Sequence, residues 1–366
     1  MFRYFVAKRE REKPLQNPAG PVRSTFTGFC AAVTALLLIV ACLFFSGCAG
    51  QKETPASNSP DFQPVKVFCT IYPLYDFAKN IGKDKIDLSC LVPPGTEPHE
   101  WEPTPRDLAS IQEANLFVYC GAGMESWVDK VLNVVAGPEL NIVNASRGIQ
   151  LISGQGEEDE AGVKQQNSGD TSEDQVALNI SGDVREDHSA VDPHIWVDPV
   201  NAMKMVENIA AGLVQADPAN KLFYETNARE YLNELEALHN DYRNGLARTT
   251  HREFITSHAA FGYLAKRYGL VQVPIRGLSP EVEPAPARMA EIIKLINEKR
   301  IRYIFFETLV SPKVSQIIAG EAGAGTLVLN PLGNLTTDEI DAGKDYLTVM
   351  RENLVNLQKA LEVAES

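Results

Sequence analysis

Six histidines occur in the 366 residues, and three of them stand where a strand or loop runs into a helix start. His99 follows an apolar run in Pro93-Pro94-Gly95-Thr96-Glu97-Pro98-His99-Glu100-Trp101. His194 lies in Asp192-Pro193-His194-Ile195-Trp196-Val197-Asp198-Pro199, and His258 directly follows the run Phe254 to Thr256. Neutral imidazole is a good zinc ligand at about 2.0 to 2.1 Å in tetrahedral geometry, and three converging rings leave one corner of the tetrahedron open. Manganese prefers more carboxylate oxygen. Taken singly, each of these histidines reads as an ordinary hydrogen-bonded loop residue; their joint placement is what points to a metal. His188, His239 and His251 lack this context and read as surface residues, His188 as a weak scavenging ligand.

Such a site needs strands to aim it. Val65 to Thr70, a run ending at Pro93 and Leu116 to Tyr119 read as strands, separated by helical patterns over Tyr75 to Ile81 and Pro105 to Ala114. The same order returns downstream: strand Glu253 to Thr256, helix Ala260 to Tyr268, strand Val271 to Arg276, helix Pro286 to Lys299, strand Ile301 to Phe306. Glu102-Pro103-Thr104-Pro105 opens a helix in the first half and Glu283-Pro284-Ala285-Pro286 the matching helix in the second. Proline in a first helical turn sacrifices no intrahelical hydrogen bond. The expected fold is therefore α/β, two βαβ-type lobes with a metal cleft between them, because ligands of open α/β sheets bind beyond the carboxyl ends of the strands. His99 and His258 occupy that position in opposite lobes.

Between the lobes, Pro218 to Leu246 reads as one long rigid helix with Asp217 as its N-cap. Leu222, Tyr231, Leu235, Leu238 and Tyr242 form its apolar face. At 1.5 Å per residue it runs for about 40 Å, enough to join two lobes and resist hinge opening. The segment 154–192 is acidic, rich in Gly and Ser and poor in apolar residues, and reads as a mobile insertion.

The chain is 44% hydrophobic and 22% charged, with a formal net charge of -14. That balance suits a globular protein and argues against a nucleic-acid partner, whose phosphates demand a basic surface. Residues 1–47 are set apart: Arg3, Lys8, Arg9, Arg11, Lys13 and Arg23 precede the apolar run Phe29 to Phe45. Phe45-Ser46-Gly47-Cys48 resembles the lipobox of bacterial lipoproteins, which implies cleavage before Cys48 and acylation of its thiol, with Phe45 in place of the commoner Leu. The other reading is an uncleaved transmembrane anchor, for which the run is marginally long. Either way the body lies outside the cytoplasm, on a polar tether over 48–62. Cys69, Cys90 and Cys120 remain in the body, in apolar runs where Cys packs as a small hydrophobe. No paired Cys-x-x-Cys spacing offers a second kind of zinc site.

The motifs around His99, His194 and His258, followed by Gly277-Leu278-Ser279-Pro280-Glu281, resemble in order the zinc and manganese substrate-binding proteins of bacterial ABC importers, over about residues 63 to 360. The resemblance implies metal held between two α/β lobes joined by one long helix, with His99, His194 and His258 as ligands. A Glu in the third position marks manganese-type members, so His258 points to zinc as bound cargo, with manganese or iron as the alternative. Many relatives supply a fourth, carboxylate ligand from the loop matching Asn330-Pro331-Leu332-Gly333; Asn330 and Gly333 cannot. Water is then expected at that corner, with Glu97, Glu100 or the Asn330 side chain as the other candidates, and Glu307 is expected to orient a ligand histidine through a hydrogen bond. The charged insertion is also a family feature, although zinc members usually make it His-rich.

The implied domains are a leader at 1–47, the tether at 48–62, a first lobe at 63–215, the linking helix at 216–250 and a second lobe at 251–366. The implied partners are an importer permease, zinc, and the membrane through a lipid anchor, with the protein itself a monomer and not an enzyme. A zinc hydrolase would also keep an open metal position, but it needs a base beside the metal water, and no His-Glu-x-x-His motif is present. Cell adhesion is a third class known in the family, and no residue pattern here encodes such a partner.

Overall fold

The computed structural model describes residues 63–154 and 191–362. The leader, the tether with Cys48, and residues 155–190 of the acidic insertion with His188 lie outside the described residues. In the first lobe β1 (Val65–Cys69), α1 (Tyr72–Gly82), β2 (Ile86–Cys90), α2 (Pro105–Gln112), β3 (Leu116–Tyr119), α3 (Val128–Val135) and β4 (Asn141–Asn144) alternate. The second lobe repeats the pattern with β5 (Glu253–Thr256), α6 (Gly262–Tyr268), β6 (Val271–Pro274), α7 (Pro286–Lys299), β7 (Tyr303–Phe306), α8 (Lys313–Ala322) and β8 (Gly325–Val328). Between them run α4 (Pro199–Ala216) and α5 (Lys221–Leu246), and α9 (Thr337–Asp341) and α10 (Tyr346–Leu361) close the chain.

Each lobe holds a four-stranded parallel sheet, β2-β1-β3-β4 in the first and β6-β5-β7-β8 in the second. The two orders are the same permutation, so the repeated lobe read from the sequence extends to a fourth strand in each half. Parallel strands are covered on both faces, and Val67, Cys69, Leu116, Phe117 and Val118 are accordingly fully buried. α2 starts where the sequence places it because Thr104 and Asp107 form a reciprocal capping box ahead of Pro105. Strand ends are less legible: β2 stops at Cys90 rather than Pro93, and β6 at Pro274 rather than Arg276. Cys69 and Cys90 end neighbouring strands in register, Cys120 follows β3, and all three are free.

The connecting helix differs from its expectation in three ways. Pro218–Asn220 forms a separate 3-10 turn, and the α-helix proper begins at Lys221. Asp217 does not cap it through the backbone; its carboxylate accepts instead from Asn220 Nδ2 at 2.7 Å and the Tyr224 hydroxyl at 2.8 Å. Leu222 is 76% exposed, and the buried stripe runs through Tyr224, Asn227, Ala228, Tyr231, Leu235, Leu238, Tyr242 and Leu246. That stripe follows the spacing of three and four that keeps residues on one helical face.

At its first end α5 holds the first lobe: Asn227 Nδ2 donates to the Ile81 carbonyl at 2.9 Å, and the Tyr231 hydroxyl to Asp76 at 3.0 Å. At its other end it holds the second lobe, where the Tyr242 hydroxyl donates to the Met350 carbonyl at 2.6 Å. His239 is half-buried on this helix, its Nδ1 3.1 Å from the Tyr268 hydroxyl, and so is a packing residue rather than a surface one. One apolar cluster runs from Val65 through α4 and α5 to Leu361. The sheets are two, but the principal core is continuous across them.

Candidate metal centre

The segments carrying the three histidines meet at the carboxyl ends of the strands. His99 sits in the single 3-10 turn Pro98–Glu100, whose start is capped by the Glu97 carboxylate accepting from the His99 amide at 3.4 Å. His194 precedes the 3-10 turn Ile195–Val197, whose three residues are buried and anchor the loop. Asp198, which next caps α4, is also gripped by Arg267 of the second lobe at 2.7 Å. His258 lies just past β5. Ile255 of β5 pairs with Ile304 of β7, so His258 and Glu307, each three residues further on, emerge side by side.

The result is a compact ring. His194 Nε2 lies 3.0 Å from His99 Nε2 and 3.3 Å from His258 Nε2, and ligand atoms of the three residues all fall within 4.8 Å of one another. A tetrahedral ion at about 2.0 to 2.1 Å from each nitrogen would separate them by roughly 3.3 Å. The free space inside is about 10 Å³, the size of one water or one ion. His194 and His258 are 1% and 2% exposed, while His99 is half-buried at the mouth.

Carboxylates fix two of the rings from behind. His258 Nδ1 is 2.6 Å from Glu307 Oε1, and His194 Nδ1 is 2.9 Å from Asp192 Oδ1. An Nδ1–H donated in this way leaves Nε2 as a bare lone pair aimed at the ring's centre, which is how outer carboxylates orient metal-binding histidines. Glu307 is a buried carboxylate, 3% exposed, one residue past β7. Its Oε1 also accepts from the Ser257 hydroxyl, while its buried Oε2 has no hydrogen-bond partner. Asp192 was not singled out in the sequence; an Asp two residues before a His was the available signal, and its carboxylate also accepts from the His194 amide at 2.9 Å.

Burial disfavours the charged form of His99, whose pKa falls well below its ordinary value, with His194 and His258 adding to the effect. Burial also lowers His194, against the opposing pull of Asp192. For His258 burial acts in the same downward direction, but the Glu307 carboxylate and its hydrogen bond outweigh it and the net shift is upward. Burial pushes the Glu97 carboxyl up to about 7, countered in part by His258.

The candidates for the fourth corner separate clearly. Glu97 lines the cleft with Met124, Trp196, Thr308 and Pro331, whereas Glu100 is exposed and does not line it. Asn330 reaches the lining but its side chain is committed elsewhere: its carbonyl accepts from the Leu332 amide at 2.8 Å and its amide donates to Thr308 at 3.1 Å. It shapes the loop, with both ends of its amide already hydrogen-bonded. His251 is held near Glu362 and His239 near Tyr268, both apart from the ring.

Residues 67–360 match the family described as "ZnuA: Zinc-uptake complex component A periplasmic". The high-affinity zinc uptake system protein ZnuA of Bacillus subtilis is 41% identical over 330 residues, covering 90% of this chain and 98% of that protein. The zinc-binding lipoprotein AdcA of Streptococcus pneumoniae serotype 4 is 36% identical over 90% of this chain, which spans 61% of AdcA. The crystal structure of the Zn(II)-bound ZnuA-like domain of Streptococcus pneumoniae AdcA superposes with a TM-score of 0.67 at 35% identity, covering 82% of this chain and 100% of that domain. A match that runs through both sheets and all three histidine segments leads to one conclusion: the chain belongs to the ZnuA family of zinc-uptake components.

Proposed function

We propose that this protein captures Zn²⁺ outside the cytoplasm, on His99, His194 and His258, and delivers it to the membrane permease of an ABC importer. The observation that carries the reading is the ring of three imidazoles, with His194 Nε2 at the spacing of a tetrahedral ion from both of its neighbours and two of the rings oriented by buried carboxylates. Bare nitrogen lone pairs this close repel one another, and a cation removes the repulsion. Three imidazoles favour zinc over manganese, which seeks oxygen. Relatives named for zinc uptake and zinc binding support the same cargo.

Water completes the coordination, and Glu97 lines the cleft beside it. The protein acts as a monomeric carrier and not as an enzyme: the metal lies between two lobes, and the space around it is too small for an organic substrate beside the ion. The leader at 1–47 is removed, Cys48 is acylated, and 48–62 tethers a body made of the lobes 63–215 and 251–366 and the helix segment 216–250. The name of AdcA as a lipoprotein supports the anchor.

Isothermal titration decides the cargo, with one zinc bound per chain and manganese bound more weakly as the expected result. Tighter manganese binding, or two equally tight zinc sites, would overturn the reading. For the anchor, Cys48→Ala is expected to accumulate as an unprocessed precursor that incorporates no labelled fatty acid; equal labelling of both forms would refute it.

A further inference from the structure

Arg276, just past β6, is 8% exposed and forms no ion pair among the described residues. Its Nε is buried without a hydrogen-bond partner, and its Nη1 reaches only the Ser257 carbonyl, at 3.5 Å. That distance is beyond the range of a good hydrogen bond. In a chain of net charge -14 carboxylates are abundant, yet among the described residues none forms an ion pair with this guanidinium. A buried cation left unpaired is costly, so an anion that reached the guanidinium would relieve that cost.

Arg276 lines an open depression of about 500 Å³ together with Arg288 and the residues that begin α7. Ala285 at the cap of α7 contributes no side-chain hydrogen bond, so the first-turn amides of Ala287 and Arg288 have no intrahelical acceptor. Arg288 is held at the rim by donating to the Pro274 carbonyl at 2.8 Å. A helix N-terminus carries partial positive charge, and a guanidinium fork matches two oxygens at once.

We propose that this depression is a binding site for a small oxyanion, a carboxylate or a phosphate, held by Arg276 and the first turn of α7. Two acidic groups border it. Glu291 is engaged by Arg288 at 3.4 Å, and Glu283 is exposed, so neither fills the place in front of Arg276, but Glu283 weakens binding through repulsion. The site is set against the metal centre: the Arg276 amide donates to the Ser257 carbonyl at 3.1 Å, and Ser257 is the residue before His258.

The test is a titration of the full chain with inorganic phosphate and, separately, with acetate, at constant ionic strength balanced by chloride, following the arginine Nε–H resonances by NMR. One resonance, identified by its loss in Arg276→Lys, is expected to move saturably with a millimolar midpoint, and the stronger of the two anions identifies the ligand class. Glu283→Gln is expected to lower the midpoint severalfold. Arg302→Gln, which removes an exposed arginine paired with Glu362, is expected to leave it unchanged. Absence of a saturable shift with both anions would overturn the proposal, as would an Arg302→Gln effect on the midpoint as large as that of Glu283→Gln, since either result reduces the effect to diffuse electrostatics.

Discussion

Each buried histidine of the centre meets a carboxylate on the nitrogen turned away from the cleft, and this arrangement sets how protons compete with zinc. A histidine must be neutral to ligate, so affinity falls as pH falls through its pKa. His99 and His194 are shifted down and stay neutral through the physiological range, while His258 is shifted up from the ordinary value near 6.5. His258 is therefore the first to protonate, and loss of affinity on acidification is expected to begin above pH 6.5. Titrations in buffers of different ionisation enthalpy should show proton release on zinc binding near neutrality. Glu307→Gln removes the charge that raises His258 and should move the loss to lower pH; an unchanged profile would refute this assignment. Replacing His99, His194 or His258 with Ala should weaken zinc binding by orders of magnitude, and Asp192→Asn by about 10- to 100-fold as an orienting partner. His239→Ala and His251→Ala should change it little, as measured by competition with a zinc chelator.

At the scale of elements, α1 and α5 are joined by a buried acid. Burial raises the Asp76 carboxyl to about 6, with the Tyr231 hydrogen bond and Lys79 opposing the shift and Asp345 adding to it. A carboxyl whose folded pKa lies above its unfolded value near 3.8 holds its proton more tightly when folded, so it costs stability above pH 6 and returns that stability as pH falls towards 4. About two pKa units correspond to about 3 kcal/mol. Asp76→Asn is therefore expected to be more stable than the parent at pH 7 by an amount that shrinks on acidification, measured by denaturant unfolding of the metal-free protein. A constant difference from pH 7 to pH 4.5 would contradict it. At the other end of α5, Tyr242→Phe removes a second donor from the Met350 carbonyl, which keeps its place in the α10 helix, and should cost about 0.5 to 1.5 kcal/mol.

Across the whole molecule, the lobes are stapled beside the metal centre rather than only through α5. Tyr346 donates to the Trp196 carbonyl at 2.6 Å, Trp196 Nε1 to the Pro331 carbonyl at 2.7 Å, and Asn334 to the Pro93 carbonyl at 2.6 Å. Each bond crosses from one lobe to the other, so a bound ion and these staples reinforce a single closed arrangement. Zinc binding only the native state should stabilise it by about 4 kcal/mol at a free concentration a thousand times Kd. The corresponding rise in Tm is expected to vanish in His258→Ala and to persist in His251→Ala, measured by differential scanning calorimetry. An equal rise in both variants would place the stabilising zinc elsewhere.

The local chemistry of this protein was legible residue by residue. Short apolar runs, the Thr104-Pro105 helix start and the repeated Glu-Pro-x-Pro signal depend on near neighbours in the chain, and β3, β5 and α7 consequently begin and end where the pattern places them. The histidines that meet were distinguishable from those that do not because each stands in a loop ahead of a helical start, and in an α/β lobe such loops gather beyond the carboxyl ends of the strands. The rest depended on packing between distant segments. Leu222 faces solvent and Asn227 the core because the α1 surface decides which face of α5 is covered. Asn330 is spent on its own loop because Leu332 and Thr308 reach it first. The pairing of His258 with Glu307, 49 residues apart, follows from the register of β5 against β7. No spacing in a one-dimensional chain encodes that register; hydrogen bonding between strands sets it, and with it the oriented nitrogen that the site requires.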